Sequence, residues 1–507
     1  MDSQNSKRIA KNSLYLYIRM LLVMGVTLYT SRVVLQVLGI TDFGIYNVVG
    51  GFVAILGFFS SSLSNATQRY ISIGLGKNNQ EETEHAFQQS FTLLLFLSVL
   101  ILIIGETVGL WFVYNKLVIP PERLNAAIWV YQFSLFSVIF AINQVVLIGT
   151  VVAHEKMGIY SYLGLFEAFA RLLIVFILKI ISTVDSLILY GALTTLISVL
   201  TYLFYLIYCI RNFRECRISL YWNKGLVKEM GRFIGYNLFG CFAWSAGIQG
   251  TNIILNLFFG PTVNAARAIS VQVSTVVTRF TDNIMTAVKP QIIKSYVAEN
   301  REYMFLLIEK SSKYAFFLAA LLAIPIMFEC ELILKIWLGQ VPEYSIVFTR
   351  MVLCDALLGV FAPALWIAAN ATGNIKNNQV YGRLFALVIL PVSYLLLLVY
   401  TDPILPFAVT ILSSILYCGY CLYDIHKQID LSIKNYARTV LKPTLLLTVT
   451  LVGIDFLIVS ILNNDSIIRF FILFSLSVIV GCIMIYLLLE KDERIFINNQ
   501  ITKMFRK

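Results

Sequence analysis

Fourteen apolar runs, each about 20 residues or longer, take up most of this 507-residue chain and limit what it can fold into. They lie near 13–38, 44–72, 88–114, 124–150, 157–180, 186–210, 233–258, 262–290, 314–337, 344–370, 378–400, 403–424, 440–462 and 466–489. Lipid offers no partner to an open backbone N–H or C=O, so each run reads as a transmembrane helix. With 59% hydrophobic residues, 13% charged residues and a mean hydropathy of +0.80, a water-soluble globule is excluded. The expected fold is all-α integral membrane, with fourteen spans. Because fourteen is even, both termini share a side. That side carries 28 of the 39 Lys and Arg, whereas the other holds only Lys116, Arg123, Lys179, Lys335 and Arg469, so the termini are expected in the cytoplasm. Loops on an anionic inner leaflet account for most of the +11 net charge, which is no sign of nucleic-acid binding.

The segment Met1 to Lys11 is short and basic, and the run after it is too long for a signal-peptide core, so it is expected to remain as a helix. No disulfide framework is expected: seven of the eight cysteines are accounted for by Cys209, Cys241, Cys354, Cys418, Cys421 and Cys482 in spans and Cys216 in a cytoplasmic loop. The longest loop, 211–232, carries six basic residues and reads as a linker between two halves. An offset of 221 aligns Tyr15 with Tyr236, Thr30 with Thr251, Gly39 with Gly260 and Thr41 with Thr262, which suggests a parallel repeat of six spans. The expected organisation is a six-helix bundle over 1–210, the linker 211–232, a second bundle over 233–425, two additional helices within 426–489 and a cytoplasmic tail, 490–507.

Six arginines fall inside spans: Arg19, Arg32, Arg171, Arg267, Arg279 and Arg350. At 100° per residue, Ser245, Gln249, Asn252 and Asn256 lie within about 60° on one helix, and Arg267, Ser270, Ser274, Thr278 and Thr281 within about 80° on the next. The turn Phe259-Gly260-Pro261-Thr262 between them makes the helices antiparallel neighbours, so the two stripes can face one cavity. Hydroxyls and amides also glue membrane helices together, but an arginine at mid-membrane costs roughly 2.5–3.5 kcal/mol or more and must meet water, a counter-charge or an anionic ligand. Arg19 is near the inner headgroups, within reach of snorkelling, and Arg32 is near the outer end. Glu167 and Arg171, four residues apart, can neutralise each other, as can Arg279 and Asp282. Glu106, Asp355 and Asp455 have no partner within a turn and are candidates for a coupling proton or cation. The second helix carries Gly44 and Gly51, and Gly50 and Gly57, at seven-residue spacing, which allows close helix approach.

No catalytic constellation or metal-ligand spacing is present. His85, His154 and His426 fall in cytoplasmic loops, and no loop is long enough to hold a soluble enzyme domain, so the chain is not expected to be an enzyme or to hold a cofactor.

The runs Leu16-Tyr17-Ile18-Arg19-Met20, Leu28-Tyr29-Thr30-Ser31-Arg32, Gly44-Ile45-Tyr46-Asn47 and Ala66-Thr67-Gln68-Arg69 resemble bacterial polysaccharide flippases of the Wzx-like polysaccharide transport family. So do Ala153-His154-Glu155-Lys156-Met157, Asn256-Leu257-Phe258-Phe259-Gly260-Pro261, Asn264-Ala265-Ala266-Arg267 and Pro290-Gln291-Ile292-Ile293-Lys294. The likeness runs from residue 12 to about 440. It implies a MATE-like fold of the multidrug/oligosaccharidyl-lipid/polysaccharide exporter superfamily, with two six-helix bundles around a central cavity and two further helices. It also implies alternating access driven by an H+ or Na+ gradient and transport of undecaprenyl-diphosphate-linked oligosaccharide to the periplasmic leaflet of the inner membrane. Polysaccharide polymerase and chain-length machinery would be the protein partners, and a cationic cavity fits Arg32 and Arg267. The alternatives are a drug or metabolite exporter of the same fold and a scaffold for the assembly machinery.

Overall fold

The computed structural model describes residues 3–55, 67, 71, 79–154, 156–181, 183–374, 376–462, 466–489 and 493–494. Among the described residues there is no strand, and the described parts of the apolar runs are helical apart from short breaks. In chain order the helices are α1 (3–38), α2 (40–55), α3 (Gln80–Asn115), α4 (Pro121–Ala153), α5 (Met157–Ile180), α6 (Ser186–Asn212) and α7 (Lys224–Phe259). They continue with α8 (Pro261–Val297), α9 (Arg301–Phe328), which a short helix Cys330–Leu338 follows, α10 (Ser345–Thr372), α11 (Asn378–Val399), α12 (Leu405–Ile429), α13 (Ile433–Ile461) and α14 (Ile467–Leu488). Among the described residues, eleven segments are long and apolar enough to cross a membrane, with α1 and α2 counting as one. The 24 residues of α5 and the 37 of α8 are also long enough, at about 1.5 Å per residue.

Two glycines punctuate the hairpins. Gly39, between α1 and α2, and Gly260, between α7 and α8, both have φ +77°. A side chain there would clash with the following carbonyl, and glycine avoids that cost. These are the two positions that the 221-residue offset brings into register.

The chain folds into two compact units, one of Met1–Ala268 with Gln379–Pro406 and the other of Ile269–Asn378 with Phe407–Lys507. In the first, α4 packs along α6 and α7 along α11, and the α1–α2 hairpin packs along α5 and also touches α4 and α7. Arg123 fastens three helix starts at one end of this unit. Its Nε and Nη2 donate to Asp42 at 2.8 and 2.5 Å, and its Nη1 donates to Asp185 at 2.5 Å. At the other end the first part of the linker is docked rather than loose: His154 bonds Glu215, His85 stacks on Tyr221 at 4.2 Å, and Asn223 N donates to Gln89 Oε1 at 2.8 Å. In the second unit α9 is the central rod, packing against α10, α13 and α14.

Candidate functional site

The α1–α2 and α7–α8 hairpins meet without side chains between them at one point. A Cβ on Gly44 would fall 1.8 Å from the Pro261 carbonyl oxygen, so the α2 backbone lies directly on the α7–α8 turn. One heptad further, a Cβ on Gly51 would fall 2.7 Å from Gln249 Oε1 and 2.9 Å from Asn252 Nδ2. The seven-residue glycine spacing therefore makes a small face that receives two amides of α7. Gly50 meets nothing, and Gly57 lies outside the described residues.

Around this approach the amides form a seam. Asn252 donates to the Asn47 carbonyl at 3.1 Å, and Asn264 Nδ2 donates to the carbonyl of Asn252 at 2.7 Å and to its Oδ1 at 2.9 Å. Asn256, 0% exposed, accepts from Val118 N at 2.9 Å and donates to Val118 O at 3.2 Å, so it completes the backbone of the α3–α4 loop as a strand partner would. Each such bond adds a net ~0.5–1.5 kcal/mol: Asn252 ties the two hairpins to each other, Asn264 braces α7 against α8, and Asn256 ties α7 to the α3–α4 loop. Asn264, three residues before Arg267 and so on its face, is the member that sequence reading passed over, although that spacing could have found it.

Arg267 is at the edge of this seam and is 9% exposed. Its Nη2 donates to the Ile248 carbonyl at 2.8 Å, and its Nε has no hydrogen-bond partner. No carboxylate pairs with it among the described residues. A buried guanidinium left with one neutral acceptor is costly, and it retains unused donors in a planar fork that matches a phosphate or carboxylate.

The remaining candidates are spread along the fold. Ser270, buried, donates to Ser345 O at 3.4 Å and accepts from Thr349 at 3.2 Å, joining α8 to α10. Ser274 is buried, whereas Thr278 is half-buried and returns its hydroxyl to its own helix. Arg32 is half-buried on α1, and the side chain of Arg19 lies outside the described residues. Glu167 and Arg171 pair at 2.9 Å on the α5 surface. The three lone acids find neutral partners on other helices, which the sequence could not reveal. Gln132 donates to Glu106 at 3.0 Å, Ser414 to Asp355 at 2.6 Å, and Ser477 to Asp455. Asp455 is 0% exposed and its Oδ2 has no partner. Glu106 sits in a π-helical stretch, Gly105–Gly109, of a kind that recurs at functional sites.

The MatE family model matches residues 16–177. No curated protein matches the chain in sequence. Among solved structures, an inward-facing multidrug resistance MATE family transporter of the MOP superfamily superposes with a TM-score of 0.68 at 14% identity, covering 82% of this chain and 98% of its own. The lipid II flippase MurJ in an inward closed conformation superposes with a TM-score of 0.66 at 13% identity, covering 97% of this chain and 100% of its own. A MOP superfamily transporter from Pyrococcus furiosus gives 0.63 at 16% identity, covering 83% and 96%. The fold is MATE-like, and MurJ shares it over nearly the full length.

Proposed function

We propose that this protein is a flippase that moves undecaprenyl-diphosphate-linked oligosaccharide from the cytoplasmic to the periplasmic leaflet by alternating access. The observation that carries the reading is Arg267, a buried guanidinium with spare donors and no acid beside it among the described residues. A lipid-linked glycan has a diphosphate that hydrocarbon cannot solvate and a polyprenyl tail that need not leave it. A transporter for it needs a cation to meet the phosphate and amides and hydroxyls to meet sugar, and α7 and α8 supply both types. The seam that buries Arg267 closes the two hairpins on one another, so the substrate would reach the guanidinium as the seam parts. The coverage also supports this reading. The superposition on MurJ takes in 97% of this chain and that on the MATE transporter 82%.

Replacing Arg267 by Ala removes a charge-assisted contact of roughly 1.5–3 kcal/mol, so glycan output should fall about tenfold or more while the amount of folded protein in the membrane stays level. Arg267→Lys keeps the charge but loses the fork, and should restore part of the output. If output drops only in proportion to folded protein, the residue is structural and the binding role is wrong. The coupling step is assigned to one of Glu106, Asp355 and Asp455 responding to an H+ or Na+ gradient. Gradient-dependent transport that survives conversion of all three to amides overturns that assignment.

The second reading is a cation-coupled multidrug or metabolite exporter, favoured by the MatE match over residues 16–177. In that case Arg267→Ala should leave lipid-linked glycan transport untouched and change the export of small anionic compounds.

A further inference from the structure

At the end of α9 that belongs to the Lys- and Arg-rich side of the protein, Lys310, Lys313 and Tyr314 converge on a single carboxylate, that of Glu493 in the tail. Lys310 Nζ lies 3.1 Å from Glu493 Oε1, Lys313 Nζ lies 3.3 Å from Oε2, and the Tyr314 hydroxyl donates to Oε1. Lys313 is 3% exposed, and Glu493 is itself buried. The nearest acid on the same helix face does not serve these lysines. Glu309 has one oxygen taken by Asn435 Nδ2 at 2.8 Å and the other by Thr439 Oγ1 at 2.9 Å. The anion of this nest is thus brought from 180 residues away by a short stretch after the last span.

Next to Glu493, Arg494 donates to the carbonyls of Leu487 and Leu489 and lies over the Tyr486 ring at 5.8 Å. Beside the nest opens a cavity of about 290 Å³, lined by Phe305, Leu306, Asn435 and Thr439, by the carboxylates Glu302 and Glu309, and by Lys310 and Lys313. A buried ammonium needs an anion in every state of the protein. If the tail leaves, something else must take its place.

We propose that Lys310, Lys313 and Tyr314 form a binding site for the phosphate of an anionic phospholipid, and that Glu493 is its intramolecular competitor. Two ammonium groups and a hydroxyl supply three donors to a two-oxygen acceptor, and a phosphate monoester or diester oxygen set can replace the carboxylate atom for atom. The phosphate would take the place of Glu493, and the rest of the headgroup would enter the cavity, where the Asn435, Thr439 and Glu302 side chains suit hydroxyls and Phe305 and Leu306 suit the start of an acyl chain. The terminal segment carries Lys503, Arg506 and Lys507 among Ile501, Met504 and Phe505, a composition drawn to an anionic leaflet. The same lipid would therefore fill the nest and hold the released tail. This site is independent of the transport reading, since none of its residues belongs to the seam.

The test titrates purified full-length protein in detergent with dioleoyl phosphatidylglycerol, with dioleoyl phosphatidylcholine and with inorganic phosphate, and reads bound lipid by native mass spectrometry. Wild type should retain phosphatidylglycerol over phosphatidylcholine. Glu493→Gln removes the charged competitor and should raise phosphatidylglycerol affinity about tenfold, the worth of one charge-assisted contact. Lys310→Gln, at a partly exposed position that tolerates substitution, should lower it, as should Lys313→Gln where that variant folds. Limited proteolysis should show the tail released by phosphatidylglycerol and not by phosphatidylcholine. Equal affinity in wild type and Glu493→Gln overturns the competition. Equal retention of the two lipids overturns the phosphate recognition, and complete displacement of phosphatidylglycerol by millimolar phosphate overturns the lipid as the source of the anion.

Discussion

Two buried arginines in this protein are treated in opposite ways. Arg469, near the start of α14, is met by a carboxylate in its own geometry, with Nε on Glu329 Oε1 at 2.7 Å and Nη2 on Glu329 Oε2 at 2.9 Å. Arg267, equally shielded, has one backbone carbonyl and an idle Nε. Both guanidinium groups are buried in protein, so the difference lies in the partner each is given. The Glu329–Arg469 fork fastens the two additional helices to α9 and leaves neither partner free for other chemistry. With no acid paired to it among the described residues, Arg267 has its Nε unused, which is the feature the proposed binding role rests on.

The largest effect should come from breaking the fork. Glu329→Ala leaves the Arg469 guanidinium buried and unpaired, at a cost of about 3–5 kcal/mol, which should show as a collapse of the thermal unfolding transition in detergent and loss of membrane-inserted protein. Changing both partners together, as in Glu329→Leu with Arg469→Met, should recover much of that loss, because no charge is then stranded. Arg267→Ala strands nothing and should leave the unfolding temperature near that of wild type. Should Arg267→Ala unfold the protein as severely as Glu329→Ala, the two arginines do the same job and the contrast is gone.

A smaller effect should follow from prising the seam. In Gly44→Ala the new methyl would overlap the Pro261 carbonyl, so closing the α2 contact costs about 1–3 kcal/mol of overpacking and the closed form loses about tenfold or more in population. Spin labels on α2 and α7 should report a longer distance, with global stability little changed. Gly50→Ala, whose Cβ meets nothing, is the matched control. An unchanged distance in Gly44→Ala means that the hairpins are not held by this approach.

The sequence made the helices legible because hydropathy and turn chemistry are local. Fourteen runs of membrane length, the glycines at 39 and 260, and the Glu167–Arg171 pair one turn apart can all be read within a few residues. The partners of the remaining charges cannot be read that way. Glu329 and Arg469 are 140 positions apart, and Arg123 reaches Asp42 across 81 and Asp185 across 62. In the sequence each looked like an ordinary charge near the end of a span. The stripe on α7 was visible as a line of amides. That Asn256 would spend both its donor and its acceptor on one loop residue, Val118, is a consequence of tertiary packing that no periodicity contains. The contrast between Arg267 and Arg469 has the same origin: composition shows two intramembrane or near-membrane arginines, and only the fold shows which one has been given an acid.

The smallest effect tests the same contrast at a third arginine, which stands between the two extremes. Arg123 is shared between Asp42 and Asp185 but is more exposed than Arg469, so solvent and salt screen it. The hydrogen bond from Arg123 holds the Asp185 carboxyl below its ordinary 3.8, with burial working against it and the backbone N–H of Ile188 adding to it. A carboxylate whose folded value is depressed stabilises the fold above its unfolded value and loses that contribution as the pH falls through the folded one. The Asp185 arm of the clamp is therefore present at neutral pH and at pH 5 and weakens only below about 3.8, whereas burial raises the Asp42 carboxyl, so that arm is lost first as the pH falls. Asp185→Asn should accordingly lower stability slightly at pH 7, flatten the acid limb of the unfolding profile below pH 4, and do both less in high salt. Glu329→Ala, by comparison, should be almost insensitive to salt, because its pair is sealed from solvent. An acid limb that is identical in wild type and Asp185→Asn would show that Asp42 alone supports Arg123, leaving it a simple pair like Arg469 rather than a shared one.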